Sequence, residues 1–415
     1  MALNYIWVGF FLVAFVAGIW QWLAGGDAEV FARMMDAVFS RAKLGFELSL
    51  GLTGILALWM GILKIGEKAG VIRILSRMMN PLFKRLFPGL PDNHPAMGAM
   101  VLNLSANMLG LDNAATPMGL EAMKELQSVN PHKDTASNEQ VMFLVLNTSG
   151  MTLIPVSILA LRATAGSANP TDVFIPILIA TFISTLVGLV VTALVQKINL
   201  LQPVIIAYLG GAVLLFGGLV YFLSGLPPAE MEHYSGLITN LLLLGVIISF
   251  IIAGMLKKIN VYDAFIEGAK DGFKVAVNII PFLIAMLVAI GVFTSSGAMD
   301  WLTGMLRFVV ESAGMDARFV EGLPTAFMKP LSGGGARALM IESWGADKSA
   351  VDSFVGHLTS VLQGSTETTF YVLAVYFGSV KIKNIRNAAV LGLVADLAGI
   401  IAAIVISYKF FGHLA

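Results

Sequence analysis

The chain has 415 residues, 57% of them hydrophobic and only 13% charged, with 26 Lys and Arg against 26 Asp and Glu and a mean hydropathy of +0.83. That balance describes a polytopic membrane protein rather than a soluble core, and it leaves no basic field for nucleic acid. Cys is absent, which removes disulfides, thiolate metal sites and thiol nucleophiles.

About twenty apolar residues cross a bilayer, and nine runs reach that length: 4–24, 44–63, 140–163, 171–196, 201–223, 238–256, 276–296, 353–378 and 388–411. The first has no basic region before it and no small-residue cleavage site after it, so it reads as a retained helix. Residues 64–92, carrying Lys64, Lys68, Arg73, Arg77, Lys84 and Arg85, form a basic amphipathic stretch on the cytoplasmic lipid surface. Lys257, Lys258, Lys270 and Lys274 mark a second cytoplasmic segment, and Lys381, Lys383 and Arg386 a third. Segments 224–237 and 297–321 are acidic and belong outside. Two stretches are left over, 95–127 and 322–344. The flanking charges fall on these sides only if each stretch enters the membrane and turns back, the first from the cytoplasm and the second from outside.

An internal repeat supports the same arrangement. "AKLGF" at Ala42 recurs as "AKDGF" at Ala269, a shift of 227, and Leu104 with Ser105 recurs at Leu331 with Ser332 at the same shift. "NTSGMT" at Asn147 aligns with "QGSTET" at Gln363 after a shift of 216, and the 11-residue difference matches the extra loop 128–138. Equivalent spans carry opposite charge bias. The reading is an all-α polytopic membrane protein built as an inverted-topology repeat, with two re-entrant helical hairpins and about nine full spans, an architecture of secondary transporters. Residues 1–196 form the first repeat, 197–236 a connecting transmembrane helix and external loop, and 237–415 the second repeat.

The polar residues concentrate in the two hairpins and in one later span. In "NLSANMLGLDNAATP", Gly110 and Pro117 bracket a break, Thr116 caps the helix that Pro117 begins, and a helix start at membrane depth offers free amides to a solute. Asn103, Ser105, Asn107, Asp112 and Asn113 add side-chain donors and acceptors, or else serve helix packing. In "PLSGGGARALMIES", Ser332 precedes Gly333, Gly334 and Gly335, where the main chain can approach a solute closely. Arg337 follows, either as an anion clamp or as half of a fixed ion pair with Glu342, Glu367 or Asp112. In "LQGSTETTFYV", Gln363, Ser365, Thr366 and Thr368 repeat the polar positions Asn147 and Ser149, while Glu367 has only Met151 opposite it. Backbone that is not helical is tolerated at this depth only where it is buried in protein or lines a wet cavity, so these residues are expected around one solute site. Glu367 is the first choice for ion coupling, with Asp112 and Glu342 behind it; spacing does not separate H⁺ from a Na⁺ site of carbonyls and Thr hydroxyls.

Other polar residues carry less. His357 reads as a hydrogen-bonded packing residue, the twenty-one Met as core filler, Glu47 as facing a neighbouring helix, and Asp396 as open between that and a proton path. Ser149, Ser365 and His357 make no recognised nucleophile and base arrangement, so an enzyme is not expected.

"NMLGLDNAATPMGLEAMKELQ" resembles the signature of the spore maturation protein A family, and "KPLSGGGARALMIES" with "GSTETTFYVLAVYFGSV" that of the spore maturation protein B family. The chain looks like a fusion of the two, both similar to the nucleoside-recognition or Gate family, whose wider relatives include the membrane part of ferrous-iron transporters and concentrative nucleoside carriers. The resemblance implies a multi-pass protein of the bacterial inner (plasma) membrane that moves a small polar solute (a nucleoside, amino acid or carboxylate) by alternating access with H⁺ or Na⁺. It implies no other cofactor or metal, and membrane lipid and further copies of the chain as partners. A scaffold or assembly factor without transport is the alternative. Few aromatics lie within the polar clusters to stack a base, which weighs against a nucleoside.

Overall fold

The computed structural model describes residues 2–91, 94–110, 112–345 and 348–414, apart from the side chains of Ala2, Leu3, Asp112, Asn113, Ala114 and Pro228. Among these residues it is all-helical. The first half runs α1 (Ala2–Gly25), α2 (Val30–Ala69), α3 (Val71–Leu86), a hairpin of α4 (Pro95–Met108) and α5 (Asp112–Val129), then α6 (Asn138–Ser149), α7 (Val156–Thr164) and α8 (Phe174–Val195). After the linking helix α9 (Pro203–Ser224), the order recurs: α10 (Pro228–Leu256), α11 (Val261–Ser295) and α12 (Ala298–Ser312). A second hairpin follows, made of a 3-10 turn (Arg318–Gly322), α13 (Leu323–Met328) and α14 (Gly333–Ser343), and then α15 (Phe354–Gly364), α16 (Thr369–Ser379) and α17 (Ala388–Phe411).

Seven described helices are long and apolar enough to cross a membrane, and the protein is a multi-pass membrane protein. Two of the nine expected spans differ. Residues 140–163 and 353–378 are each broken into two half-helices, α6 with α7 and α15 with α16. Gly150 ends α6 at φ 45°, a left-handed cap whose N–H bonds the Leu146 carbonyl, and Pro155 keeps the preceding residues out of the helix until α7 begins. At the equivalent break, hydroxyl residues Ser365, Thr366 and Thr368 occupy the gap, and Ser365 Oγ turns back onto the Leu362 carbonyl. The first hairpin also differs in detail. α5 begins at Asp112 and carries Pro117 inside it, so Thr116 is not its cap; Pro117 is the sixth residue of the helix and its missing N–H removes one bond from the second turn.

The helices pack as related pairs. α2 and α11, the two longest, run side by side. At their crossing the glycines of the two "AKxGF" motifs take equivalent places: Gly45 faces Ile284, and Gly272 faces Leu56 and Ala57. α8 crosses α17 through small residues, with Gly188 against Ala395, Gly399 against Ser184, and Ser184 Oγ donating to the Ala395 carbonyl at 2.8 Å. Loops hold the two ends. At one end, which carries Lys381, Lys383 and Arg386, the amides of Lys383 and Asn384 donate to the Asp134 carbonyl and Ala136 N–H to Asn384, all at 2.9 Å. At the opposite end the α7–α8 turn meets the α14–α15 turn.

A Cβ at Gly272 would lie 2.6 Å from the Leu56 carbonyl oxygen and 2.7 Å from Ala57 Cα, backbone atoms that cannot swing aside. Gly272→Leu is therefore expected to lower stability by about 2 kcal/mol or more. Gly54→Ala, with nothing within 4 Å of its Cβ position, should stay within about 1 kcal/mol of the parent, on the stabilising side. Thermal unfolding in detergent measures both; equal losses would show that the crossing does not depend on the glycine.

Candidate functional site

Two helix breaks and two hairpin tips meet in the middle of the molecule. The Leu153 amide, in the α6–α7 break, donates to the Met108 carbonyl at the end of α4 at 2.7 Å; Phe370 N–H, at the start of α16, donates to Pro330 of the second hairpin at 3.0 Å. The two breaks are joined to each other by Glu367 N–H on the Thr148 carbonyl at 2.9 Å. Side-chain amides repeat the pattern. Asn107 Nδ2 donates to Asn147 Oδ1 at 2.9 Å, and Gln363 Nε2 donates to the Gly333 carbonyl at 3.2 Å.

These contacts border a cavity of about 690 Å³. Its polar wall is Asn107, Thr116, Asn147, Lys329, Ser332, Gly333, Gly334, Arg337, Gln363, Glu367 and Thr368. Its other wall is apolar and aromatic: Ile279, Phe282, Leu283 and Met286 from α11, and Phe370, Tyr371 and Tyr376 from α16. Ser332 caps α14 by accepting from Gly335 N–H at 3.0 Å, which aims the start of that helix at the cavity, where partial positive charge favours an anionic or carbonyl group. Glu367 is exposed there and Lys329 is buried, so the wall carries both signs of charge.

Not all expected residues reach the cavity. Asn103 is buried and fastens the first hairpin, donating to the Ala115 carbonyl at 2.8 Å and to Tyr376 Oη at 3.3 Å. Ser105 faces Met79 Sδ of α3 at 3.6 Å. Ser149, at the end of α6, and Ser365, just past the end of α15, donate back to the Leu146 and Leu362 carbonyls of the preceding turn. Gly335 packs on Met286 and Met328, and Thr366 on Gly399. Glu342 is held by Arg41 of α2, with Nη2 at 2.6 Å from Oε1, so it ties the second hairpin to the first half instead of standing free as a coupling carboxylate. The Asp112 and Asn113 side chains lie outside the described residues.

Several participants escape the sequence reading. Lys329 is the first residue of "KPLSGGGARALMIES", and a Lys at the turn of a hairpin in so apolar a chain is its signal. The aromatic wall takes Phe282 from α11, which reads as a plain span, and Phe370, Tyr371 and Tyr376 from the end of the third polar motif and the helix after it, and it removes the objection to stacking a planar solute. Asp396, 1% exposed in α17, accepts from Thr369 Oγ1 at 2.7 Å and so anchors the start of α16.

A second polar cluster lies at the opposite end. Arg162 of α7 is fully buried, and its Nη2 is 3.1 Å from Asp172 Oδ1 and 2.9 Å from Asp352 Oδ1. Asp172, Asp352 and His357 bring one ligand atom each within 4.8 Å of one another. The guanidinium stands among them, so a protein cation already supplies the charge a metal would bring. Burial pushes the Asp352 carboxyl upward, but bonds from Ser167 Oγ and the Ala168 amide, with the Arg162 charge, hold it below its ordinary range. Its contribution to stability is therefore present above the usual carboxylate range and is lost as pH falls through its lowered value.

The chain matches the nucleoside-recognition (Gate) family over residues 49–165 and 276–383. It is 38% identical over 188 residues to spore maturation protein A of Bacillus subtilis, covering 45% of this chain and 92% of that one. It is 44% identical over 170 residues to spore maturation protein B of the same organism, covering 40% of this chain and 91% of that one. No solved structure matches it.

Arg41→Met or Glu342→Leu alone should cost about 3 kcal/mol, because each leaves a nearly buried partner charge, and the double variant should recover most of that loss. Thermal unfolding of the three variants checks the pair. Additive losses would show that the two side chains do not act together.

Proposed function

Because the chain belongs to the nucleoside-recognition (Gate) family, we propose that it is a secondary membrane transporter for a small polar solute, working by alternating access with H⁺ or Na⁺. The observation that carries this reading is the central cavity, where two hairpin tips and two helix breaks meet, the arrangement by which inverted repeats form solute sites at bilayer midplane. The family name concerns nucleosides, and the aromatic wall with its side-chain amides suits a planar base. Lys329, Arg337 and the start of α14 suit a carboxylate, and Glu367 the ammonium of an amino acid.

The halves also differ in a way that a transport cycle requires. α14 packs on α11 as well as on its hairpin partner α13, whereas α5 packs on its partner α4 and on α16, and α7 on α2. The cavity lining runs along α16 from Phe370 to Tyr376, toward the end that carries Lys381 and Arg386. On the rule that basic loops stay inside, the cavity faces the cytoplasm in this conformation, in a bacterial inner membrane where the protein meets lipid and further copies of itself.

Thermal-shift measurements of the purified protein against nucleosides, bases, amino acids and carboxylates, with and without Na⁺, test the proposal. A solute at roughly 100 times its Kd stabilises by about 2.7 kcal/mol, which raises Tm by a few degrees, and Arg337→Ala should abolish the shift for an anionic solute. No shift from any class would overturn the transporter reading in favour of a scaffold.

A further inference from the structure

In the second cluster, the hydrogen-bond geometry around His357 raises the question of where a proton sits. His357 Nδ1 is 2.8 Å from the Ser353 carbonyl oxygen, which can only accept, so Nδ1 carries a hydrogen. His357 Nε2 is 2.7 Å from Asp172 Oδ2 and 3.1 Å from Arg162 Nη2. A neutral ring with its hydrogen on Nδ1 could accept from the Arg162 N–H at Nε2, but it would also turn that lone pair against the carboxylate oxygen, which is the closer of the two contacts, and two acceptors in contact repel. A proton placed between Nε2 and Oδ2 turns that contact into a charge-assisted hydrogen bond. With it the cluster of Arg162, His357, Asp172 and Asp352 is neutral overall; without it one net negative charge is left in a largely buried place.

We propose that His357 and Asp172 form a proton-binding site that fastens the two halves of the chain together at the end opposite Lys381–Arg386. Each half supplies part of it. Arg162 ends α7 and Asp172 precedes α8 in the first half, while Asp352 and His357 flank the start of α15 in the second. Asp352 reaches across to accept from Ser167 Oγ at 2.6 Å and from the Ala168 amide at 2.8 Å, and Arg162 Nη1 donates to the Val351 carbonyl at 2.9 Å. Phe411 stacks on the His357 ring with centroids 4.1 Å apart and screens it from one side. A crevice lined by Asp172, Asp352, Glu232 of α10 and His413 after α17 leads to the site, and the Asp352 side chain is 36% exposed, so protons have a way in from that end. One turn away, Arg318 is committed to Asp316 and to the Gly412 and Leu414 carbonyls and covers the Phe354 ring. Releasing the proton sets Nε2 against Oδ2 and loosens the seam between the halves. The site rests on the transporter reading only for its consequence, that a proton bound from this end holds it shut while the cavity opens toward the other.

The test needs no solute. Thermal unfolding of the parent, Asp172→Asn and His357→Gln is followed from about pH 6 to about pH 9, where histidine protons are exchanged. The parent should lose several degrees of Tm across that range. Asp172→Asn presents an amide that donates to a neutral Nε2, so it should fold, keep the contact without the proton and show a flat profile. His357→Gln should be less stable and equally flat. Nitrogen chemical shifts of labelled histidines should show, at the pH where the parent is most stable, one doubly protonated ring that disappears in His357→Gln and becomes neutral in Asp172→Asn. A flat parent profile, a slope that persists in Asp172→Asn, or a neutral His357 ring in the parent would each overturn the site. None of these readouts depends on whether the protein moves a solute.

Discussion

Everything in the centre of this molecule depends on one constraint. Backbone polar groups at bilayer depth have no water to bond and must be satisfied by protein or by a wet cavity. Both halves break a crossing helix, and both answer the break with a re-entrant hairpin. Leu153 N–H finds the last carbonyls of α4, and Phe370 N–H finds Pro330. Neither the hairpin nor the break could stay at that depth alone, since each supplies partners for the other. Glu367 N–H on the Thr148 carbonyl then ties one such unit to the other, so the polar residues converge because the backbone forces them to. The same satisfaction limits motion: a hairpin that moves must carry its break with it or replace the lost bonds with water.

The surrounding scaffold answers a different demand. In lipid the helices gain little from hiding apolar surface, so close approach through small residues takes its place. The α2–α11 crossing shows how the repeat encodes this. The glycine of each "AKxGF" motif meets the partner helix at an equivalent point, and toward the ends Arg41 lies over Gly291 and Lys64 beside Gly268. Arg41 is then free to turn to Glu342, so one glycine both admits the cation and lets it reach the second hairpin.

Much of this was legible because an apolar chain has few reasons to cluster Asn, Ser and Gly at bilayer depth. The hairpins, the repeat and the convergence of Asn107, Asn147, Arg337 and Gln363 on one place follow from that reasoning. The breaks in 140–163 and 353–378 were hidden because a window of twenty residues averages over a gap of about five, and Gly150 with Pro155 signals it only locally. Asn103 and Ser105 looked like solute ligands because residue type does not tell which face of a short, wholly packed helix points inward. Arg162 was the clearest missed signal, an Arg within an apolar run; its partners Asp352 and His357 are nearly two hundred residues away, where no spacing rule reaches.

The two halves share a scaffold but not a chemistry, and the division is systematic. At the cavity the first half offers uncharged groups, Asn107, Thr116 and Asn147, while the second offers Lys329, Arg337 and Glu367. A site with true two-fold symmetry would accept a solute equally well in two opposed orientations. Among the described side chains the charges sit on one hairpin and one break, which removes that degeneracy, and a solute with a charged end and a hydrogen-bonding end would be held one way round. The outer cluster reverses the pattern, taking Arg162 and Asp172 from the first half and Asp352 and His357 from the second, so that its charge closes only when both halves contribute. Two halves with the same order of helices and breaks thus build both places, and single residues that differ between them, Glu367 against Met151 above all, put the described charges of the cavity on the second half while the seam draws its charges from both.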